Sequence, residues 1–120
     1  MSKIVLKSKS LSSGSSVLVT DSAQEAIKGA DIVYTDSWMS YHIEPRQKDA
    51  RLKALLPYQV NEKITGFAKK DFIFMNCLPA MRGEEQTASV IDGTHSVVFD
   101  QAENRLHMQK AILYTLLRRF

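Results

Sequence analysis

The sequence predicts an α/β fold, with a mostly parallel sheet and helices packed against it. Short runs rich in β-branched residues recur along the 120 residues, and segments with helical patterning lie between them. The runs are mostly continuous apolar stretches rather than alternating ones, which is typical of strands covered on both faces. Strands that alternate with helices favour a three-layer parallel sheet. By length, residues 1–120 are expected to form a single domain.

The predicted strands are the runs with the most β-branched and aromatic residues. They are residues 17–19 (Val-Leu-Val), 32–34 (Ile-Val-Tyr), 72–75 (Phe-Ile-Phe-Met) and 97–99 (Val-Val-Phe).

Helix start and stop signals lie between these runs. Asp21 or Ser22 can cap the first helix, which Gly29 stops, and Pro45 stands in the first turn of the second. Asn61 can cap the third helix, and the fourth has one largely apolar face. The predicted helices are residues 23–28, 44–56, 61–68 and about 101–120.

Composition and charge exclude several classes of protein. The hydrophobic share of 44% and charged share of 24% are those of an ordinary soluble domain. No apolar run approaches the ~20 residues of a membrane helix, and the N-terminal apolar stretch is too short for a signal peptide. The net charge of +3 comes from scattered basic residues, so nothing indicates nucleic-acid binding. A lone cysteine, Cys77, fits a reducing cytoplasm.

The chemistry is expected where three predicted strands end. Ligands of parallel α/β sheets bind at the carboxyl ends of the strands. The loops that follow, residues 35–42, 76–85 and 100–105, concentrate polar side chains. These loops are therefore the candidate site.

The same loops resemble signature segments of ornithine carbamoyltransferases. Residues 36–40 (Asp-Ser-Trp-Met-Ser) are similar to the family's Asp-x-Trp-x-Ser-Met-Gly loop, and residues 76–79 (Asn-Cys-Leu-Pro) to its His-Cys-Leu-Pro signature. Residues 99–105 look like the segment that opens the family's last helix, and residues 55–61 and 82–87 also match in order and spacing. The resemblance implies the C-terminal, ornithine-binding portion of such an enzyme, with a partial Rossmann-like parallel sheet.

The resemblance also implies roles for particular residues. Asp36 would hold the α-amino group of ornithine, and Ser40 and Tyr41 would belong to a loop that closes over the substrate. Cys77 and Leu78 would line the junction between amine and carbamoyl carbon, with a cis Leu-Pro bond. The family match further assigns to Arg105 the binding of carbamoyl phosphate. Cys77 and Arg105 are the predicted catalytic residues.

Each residue also has a plainer interpretation. Cys77 can be a buried small hydrophobe, and Asp36 can satisfy backbone donors in a turn. Arg105 can pair with Glu103 or Asp100 on the surface, and Trp38 is expected to pack in the interior. The three histidines, His42, His95 and His107, share no ligand spacing, so neither a metal site nor a cofactor is expected.

The chain departs from the family pattern at several positions. Asn76 replaces the first histidine of His-Cys-Leu-Pro, Met81 stands where many members have a second histidine, and Tyr41-His42 replaces Met-Gly. The last change raises the possibility of another amine substrate, such as putrescine or a modified ornithine. Nothing resembles the family's Ser-x-Arg-Thr-Arg phosphate loop, so the isolated chain is expected to be inactive.

These observations favour one function and leave two alternatives open. The parent reaction is carbamoyl transfer from carbamoyl phosphate to L-ornithine, giving L-citrulline and phosphate. The alternatives are an amino-acid-binding or regulatory module and a structural fragment without a ligand. A homo-oligomer or a missing companion domain is expected, because the strand at residues 32–34 and the apolar face of the last helix both need a partner.

Overall fold

A computed structural model of the chain describes residues 14–39 and 43–118. It is a mixed α/β structure with a parallel sheet and flanking helices, as predicted. In chain order the elements are α1 (Ala23–Ile27), β1 (Ile32–Thr35), α2 (Pro45–Leu55), a 3₁₀ turn (Leu56–Tyr58), α3 (Glu62–Thr65), β2 (Ile73–Asn76), α4 (Ala88–Ile91) and α5 (Val98–Leu117).

The sheet brings the ends of β1 and β2 to one edge. The strands are parallel, and their register runs from Ile32 opposite Ile73 to Thr35 opposite Asn76. Beyond β2, Ser96 adds an isolated parallel bridge to Phe74. Because paired parallel strands end together, the loops that follow β1 and β2 start side by side.

Two of the predicted strands are wrong. Residues 17–19 form no strand, and their side chains are exposed, with Leu18 65% exposed. Residues 97–99 open α5 instead, and the neighbouring Ser96 makes the bridge to the sheet. Among the described residues, no strand accepts the hydrogen bonds of residues 17–19, whereas the Val97 amide donates one bond to the Phe74 carbonyl before the chain enters α5.

The prediction that the strands are covered on both faces is also wrong for β1. Val33 is buried, but Ile32 and Tyr34 on the opposite face are 56% and 52% exposed. Among the described residues, none buries the face of β1 that carries Ile32 and Tyr34, whereas the core buries Val33 on the other face.

The predicted helix signals act largely where they were expected. The Ser22 hydroxyl accepts a hydrogen bond from the Glu25 amide at 3.2 Å, and Gly29, with φ +69°, follows the end of α1. Pro45 opens α2. The Asn61 side chain caps α3, which is shorter than predicted because the Phe67 and Ala68 amides bond to the carbonyls three residues back rather than four.

The core lies between the sheet and the short helices. Its buried members are Ile27, Val33, Val60, Phe72, Phe74, Val90, Ile91 and Val98. Of the 20 residues of α5, only Val98 is buried, although the helix is about 30 Å long at 1.5 Å per residue. Within the described residues, no helix is both long enough and apolar enough to span a membrane.

Candidate functional site

The site begins where β1 and β2 end. Asp36 follows β1 directly and Cys77 follows β2 directly, so the register makes them the next pair across the sheet. The Cys77 thiol donates a hydrogen bond to Asp36 Oδ1 at 2.9 Å. The backbone amide of Ser37 donates to the same oxygen at 2.7 Å. Asp36 thus accepts one hydrogen bond from a backbone amide in its own turn and another from the cysteine of the neighbouring loop.

These contacts change the proton affinities of both groups in opposite directions. The hydrogen bond from Cys77 lowers the pKa of Asp36, the Ser37 amide lowers it further, and burial partly opposes both. The same bond to Asp36, together with burial and the negative charge, raises the pKa of the Cys77 thiol. At neutral pH the pair is therefore a carboxylate and a protonated thiol.

Tyr34 extends the site, and the sequence analysis did not identify it. It lies two residues before Asp36, hence on the same face of β1. Burial raises the pKa of the Tyr34 phenol, interactions with Cys77 and Asp36 raise it further, and the Arg105 guanidinium opposes this rise. The alternation of side chains along a strand was the available signal.

Arg105 lies on the same side of the molecule as Tyr34. It belongs to the early part of α5, and its charge acts on the Tyr34 phenol. Among the described residues, Glu103 contacts His107 at 3.6 Å, and no ion pair joins Arg105 to Glu103 or Asp100. The surface pairing considered for Arg105 is therefore not formed.

The loop after β2 has an unusual backbone and is held by side chains. The Leu78-Pro79 peptide bond is cis, as the resemblance implied, and Leu78 has a φ of +51°. The Leu78 amide donates to Asn76 Oδ1 at 2.8 Å, and the Met81 amide donates to Glu85 Oε1 at 2.7 Å. The sequence analysis gave Asn76 no structural role and did not single out Glu85.

Two of the predicted substrate-binding residues, Ser40 and Tyr41, lie outside the described residues. The loop that leads to them is described as far as residue 39. Trp38 is buried, as predicted, and its carbonyl accepts a hydrogen bond from Arg51 Nε at 2.7 Å. This bond ties the start of the loop to α2.

Metal ligands were also considered. Within residues 14–39 and 43–118, no group of three or more His, Cys, Asp or Glu side chains is placed to hold a metal ion. His95 contacts the Phe72 carbonyl through Nδ1 at 2.8 Å and stacks on the Phe72 ring. Its role in this structure is packing.

A family model described as aspartate/ornithine carbamoyltransferase, Asp/Orn binding domain, matches residues 2–116. The chain belongs to this family. This Asp/Orn binding domain is 55% identical over 104 residues to the ornithine carbamoyltransferase of Methanothermobacter thermautotrophicus, a match that covers 87% of this chain and 34% of the relative. It is 58% identical over 94 residues to the ornithine carbamoyltransferase of Archaeoglobus fulgidus, a match that covers 78% of this chain and 30% of that relative. The chain spans about a third of the length of the curated relatives it matches.

Solved structures agree with this assignment. The ornithine transcarbamoylase of Giardia lamblia superposes with a TM-score of 0.74 at 48% identity, covering 92% of this chain and 33% of that one. The ornithine carbamoyltransferase of Pyrococcus furiosus superposes with a TM-score of 0.70 at 52% identity, covering 78% of this chain and 29% of that one. An N-acetyl-L-ornithine transcarbamylase complexed with PALAO matches at 32% identity and a TM-score of 0.64, covering 80% and 29%. The Asp/Orn binding domain therefore has the fold of the matching third of these enzymes.

Proposed function

We propose that this Asp/Orn binding domain supplies the ornithine-binding part of an ornithine carbamoyltransferase. The observation that carries the proposal is the contact between Asp36 and Cys77 at the adjoining ends of two parallel strands, in a domain of this family. Residues 1–120 would form one domain of the enzyme. The lone Cys77 favours a cytoplasmic location.

In the proposed site, Asp36 holds the α-amino group of ornithine. A lowered pKa keeps its carboxylate charged over the physiological range, which suits a cationic partner. Ser40 and Tyr41 belong to the loop that closes over the amino acid and excludes water. A closed, dry site strengthens the pairing between Asp36 and the amine.

The transfer itself requires positioning rather than a covalent nucleophile. The neutral δ-amine attacks the carbamoyl carbon, so a C–N bond forms, the C–O bond to phosphate breaks, phosphate leaves with the electron pair, and the amine loses a proton. Cys77 has a raised pKa, so it stays protonated and lines the reaction centre with the Leu78 carbonyl. Arg105 supplies the charge that binds carbamoyl phosphate. Catalysis of this kind rests on orientation and electrostatic stabilisation.

The proposed partner is the part of the enzyme that binds carbamoyl phosphate. Two surfaces favour such a partner: the exposed face of β1, with Ile32 and Tyr34, and the apolar side chains of α5. The latter are Leu106, Met108, Ile112, Leu113, Leu116 and Leu117, each at least half exposed. The β1 surface includes Tyr34 of the candidate site, and the α5 surface begins at Leu106, the residue after Arg105. Without this partner, we expect the chain to bury the same surfaces in a homo-oligomer.

Complementation tests the proposed function. The 120-residue chain is mixed with the segment of the Methanothermobacter thermautotrophicus relative that it does not match, and citrulline formation is measured. We expect no citrulline from the chain alone, citrulline from the mixture, and none from a mixture with Asp36→Asn. Asp71→Asn, which changes an exposed aspartate at the opposite end of β2, is the matched control. A complex that forms without making citrulline contradicts the proposal.

Two observations keep a second substrate as an alternative. A structural neighbour at 32% identity is an N-acetyl-L-ornithine transcarbamylase, and Tyr41 departs from the Met of the ornithine-type loop. The complemented mixture is therefore offered ornithine, N-acetyl-L-ornithine and putrescine in parallel. Product from ornithine alone supports the main proposal, and product from another amine assigns that amine instead.

A further inference from the structure

Two amide side chains meet at the end of β2, away from solvent. Asn76 is the last residue of β2, and Gln86 lies ten positions further along, after the loop that carries Cys77. Both are 0% exposed. Asn76 Nδ2 donates a hydrogen bond to Gln86 Oε1 at 3.0 Å. Buried amides need such partners, because an unpaired one costs the full desolvation of the group.

The remaining atoms of the two amides hold the backbone of the loop. Asn76 Oδ1 accepts from the Leu78 amide at 2.8 Å, and Gln86 Nε2 donates to the Met81 carbonyl at 3.2 Å. The backbone carbonyl of Gln86 also accepts from the Gly83 amide at 2.8 Å. The start, middle and end of the loop are thus tied to one buried pair.

Cys77 lies between Asn76, a member of the pair, and Leu78, whose amide is bonded to that pair. On one side Asn76 belongs to β2, and on the other the Leu78 amide is bonded to Asn76 Oδ1. The direction of the Cys77 side chain toward Asp36 therefore depends on the Asn76–Gln86 pair. Neither amide has solvent-exposed surface, so in this structure neither is open to a substrate.

We propose that Asn76 and Gln86 are positioning residues that hold Cys77 against Asp36 and fix the Leu78 carbonyl for the reaction. Asn76, at the first position of Asn-Cys-Leu-Pro, therefore has a structural role: its buried side chain holds the backbone of the loop that follows β2. The role of the Asn76–Gln86 pair in the reaction rests on the proposed function, but its effect on the position of Cys77 can be tested without measuring catalysis.

The first experiment uses the single cysteine as a probe of its own position. The rate of Cys77 alkylation by iodoacetamide is measured against pH in the whole chain and in Gln86→Leu. Loss of Gln86 should release Cys77 from Asp36, which lowers the thiol pKa, exposes the sulfur and speeds alkylation roughly threefold or more at pH 8. Asp36→Asn serves as the reference for losing the carboxylate.

Gln101→Leu is the matched control, because Gln101 is a half-buried glutamine on α5 outside this network. Its profile should coincide with that of the unchanged chain. A Gln86→Leu chain that keeps the amide spectrum of β2 and also keeps the original profile overturns the proposal.

A second measurement covers the case in which Gln86→Leu fails to fold. In the unchanged chain, the Leu78 amide should resist hydrogen exchange to the same extent as the Phe74 amide, which bonds to the His95 carbonyl in the core. Exchange of Leu78 more than about tenfold faster than Phe74 shows a loop that the pair does not hold, and overturns the proposal. Neither experiment depends on citrulline formation, so failure of the proposed function remains distinguishable.

Discussion

Asp36 and Cys77 form the smallest unit from which the function of this domain can be argued. One hydrogen bond of 2.9 Å keeps the carboxylate ionised and the thiol protonated. The ionised carboxylate can attract a cation, and the protonated thiol is a poor nucleophile. Two predictions follow from this contact alone.

The isolated domain is expected to bind ornithine weakly. The half-site is open to water, where ion pairs contribute little, so we expect millimolar affinity at best, about 4 kcal/mol. Asp36→Asn should abolish this binding, whereas Cys77→Ser should change it little without a carbamoyl donor. Amide chemical shifts during an ornithine titration measure both. Equal binding by the Asp36→Asn chain, or shifts confined to residues far from 36–42 and 76–82, would contradict the assignment.

Acid should destabilise the unchanged chain more steeply than the Asp36→Asn chain. Because the folded-state pKa of Asp36 is lowered, its contribution to the free energy of unfolding is present above the unfolded-state pKa and is lost as pH falls through the folded-state value. Urea midpoints at a series of acidic pH values measure the difference. Asp71→Asn is the control, and parallel curves for the unchanged and Asp36→Asn chains would contradict the assigned contact.

At the scale of elements, short helices depend on their caps. α3 has only the four residues Glu62–Thr65, and one of its N-terminal amides, that of Ile64, donates to Asn61 Oδ1 at 3.1 Å. A helix this short has almost no stability of its own, so the cap and the packing of Ile64 hold it.

Asn61→Ala should therefore lower the free energy of unfolding by about 1 kcal/mol. Asn61→Asp keeps an acceptor at the helix N-terminus and should be nearly neutral. Urea unfolding followed by far-UV circular dichroism gives both values. If the two substitutions cost the same, the side-chain cap does not stabilise α3.

At the scale of the whole molecule, the described residues expose two apolar surfaces, on β1 and on α5. α5 is fixed to the body through its first turns, where Val98 is 1% exposed, and its later apolar residues face solvent. Arg105, in α5, is near enough to Tyr34, on the open face of β1, for its charge to act on the phenol. A partner that covered both would also close the site.

The isolated chain is therefore expected to self-associate at high micromolar concentration. Leu113→Lys combined with Leu117→Lys should shift it toward monomer and weaken complementation, because both side chains lie on the apolar face of α5. His107→Lys, on another face of the same helix, is the control. Sedimentation velocity measures the size distribution. A clean monomer for the unchanged chain counts against self-association.

Local signals in the sequence predicted four of the five described helices, missing α4, and indicated where the candidate site lies. Ser22, Gly29, Pro45 and Asn61 act through their own backbone geometry or through hydrogen bonds to residues three positions away, so their effects are visible without a fold. The rule that ligands bind at the carboxyl ends of parallel strands then identified the loops of Asp36 and Cys77. These two residues are in contact in the structure, through the hydrogen bond from Cys77 to Asp36.

Only the tertiary structure decided which apolar runs are strands and which side chains hold the loops. Residues 17–19 have the composition of a strand but no neighbouring strand among the described residues. Residues 97–99 give one bond to Phe74 and then enter α5, so both outcomes depend on contacts with residues far away in the chain. The pairing of Asn76 with Gln86 likewise has no local signature. Its physical basis is burial, since two amides removed from water must bond to each other and to the nearest backbone, and burial is a property of the whole fold.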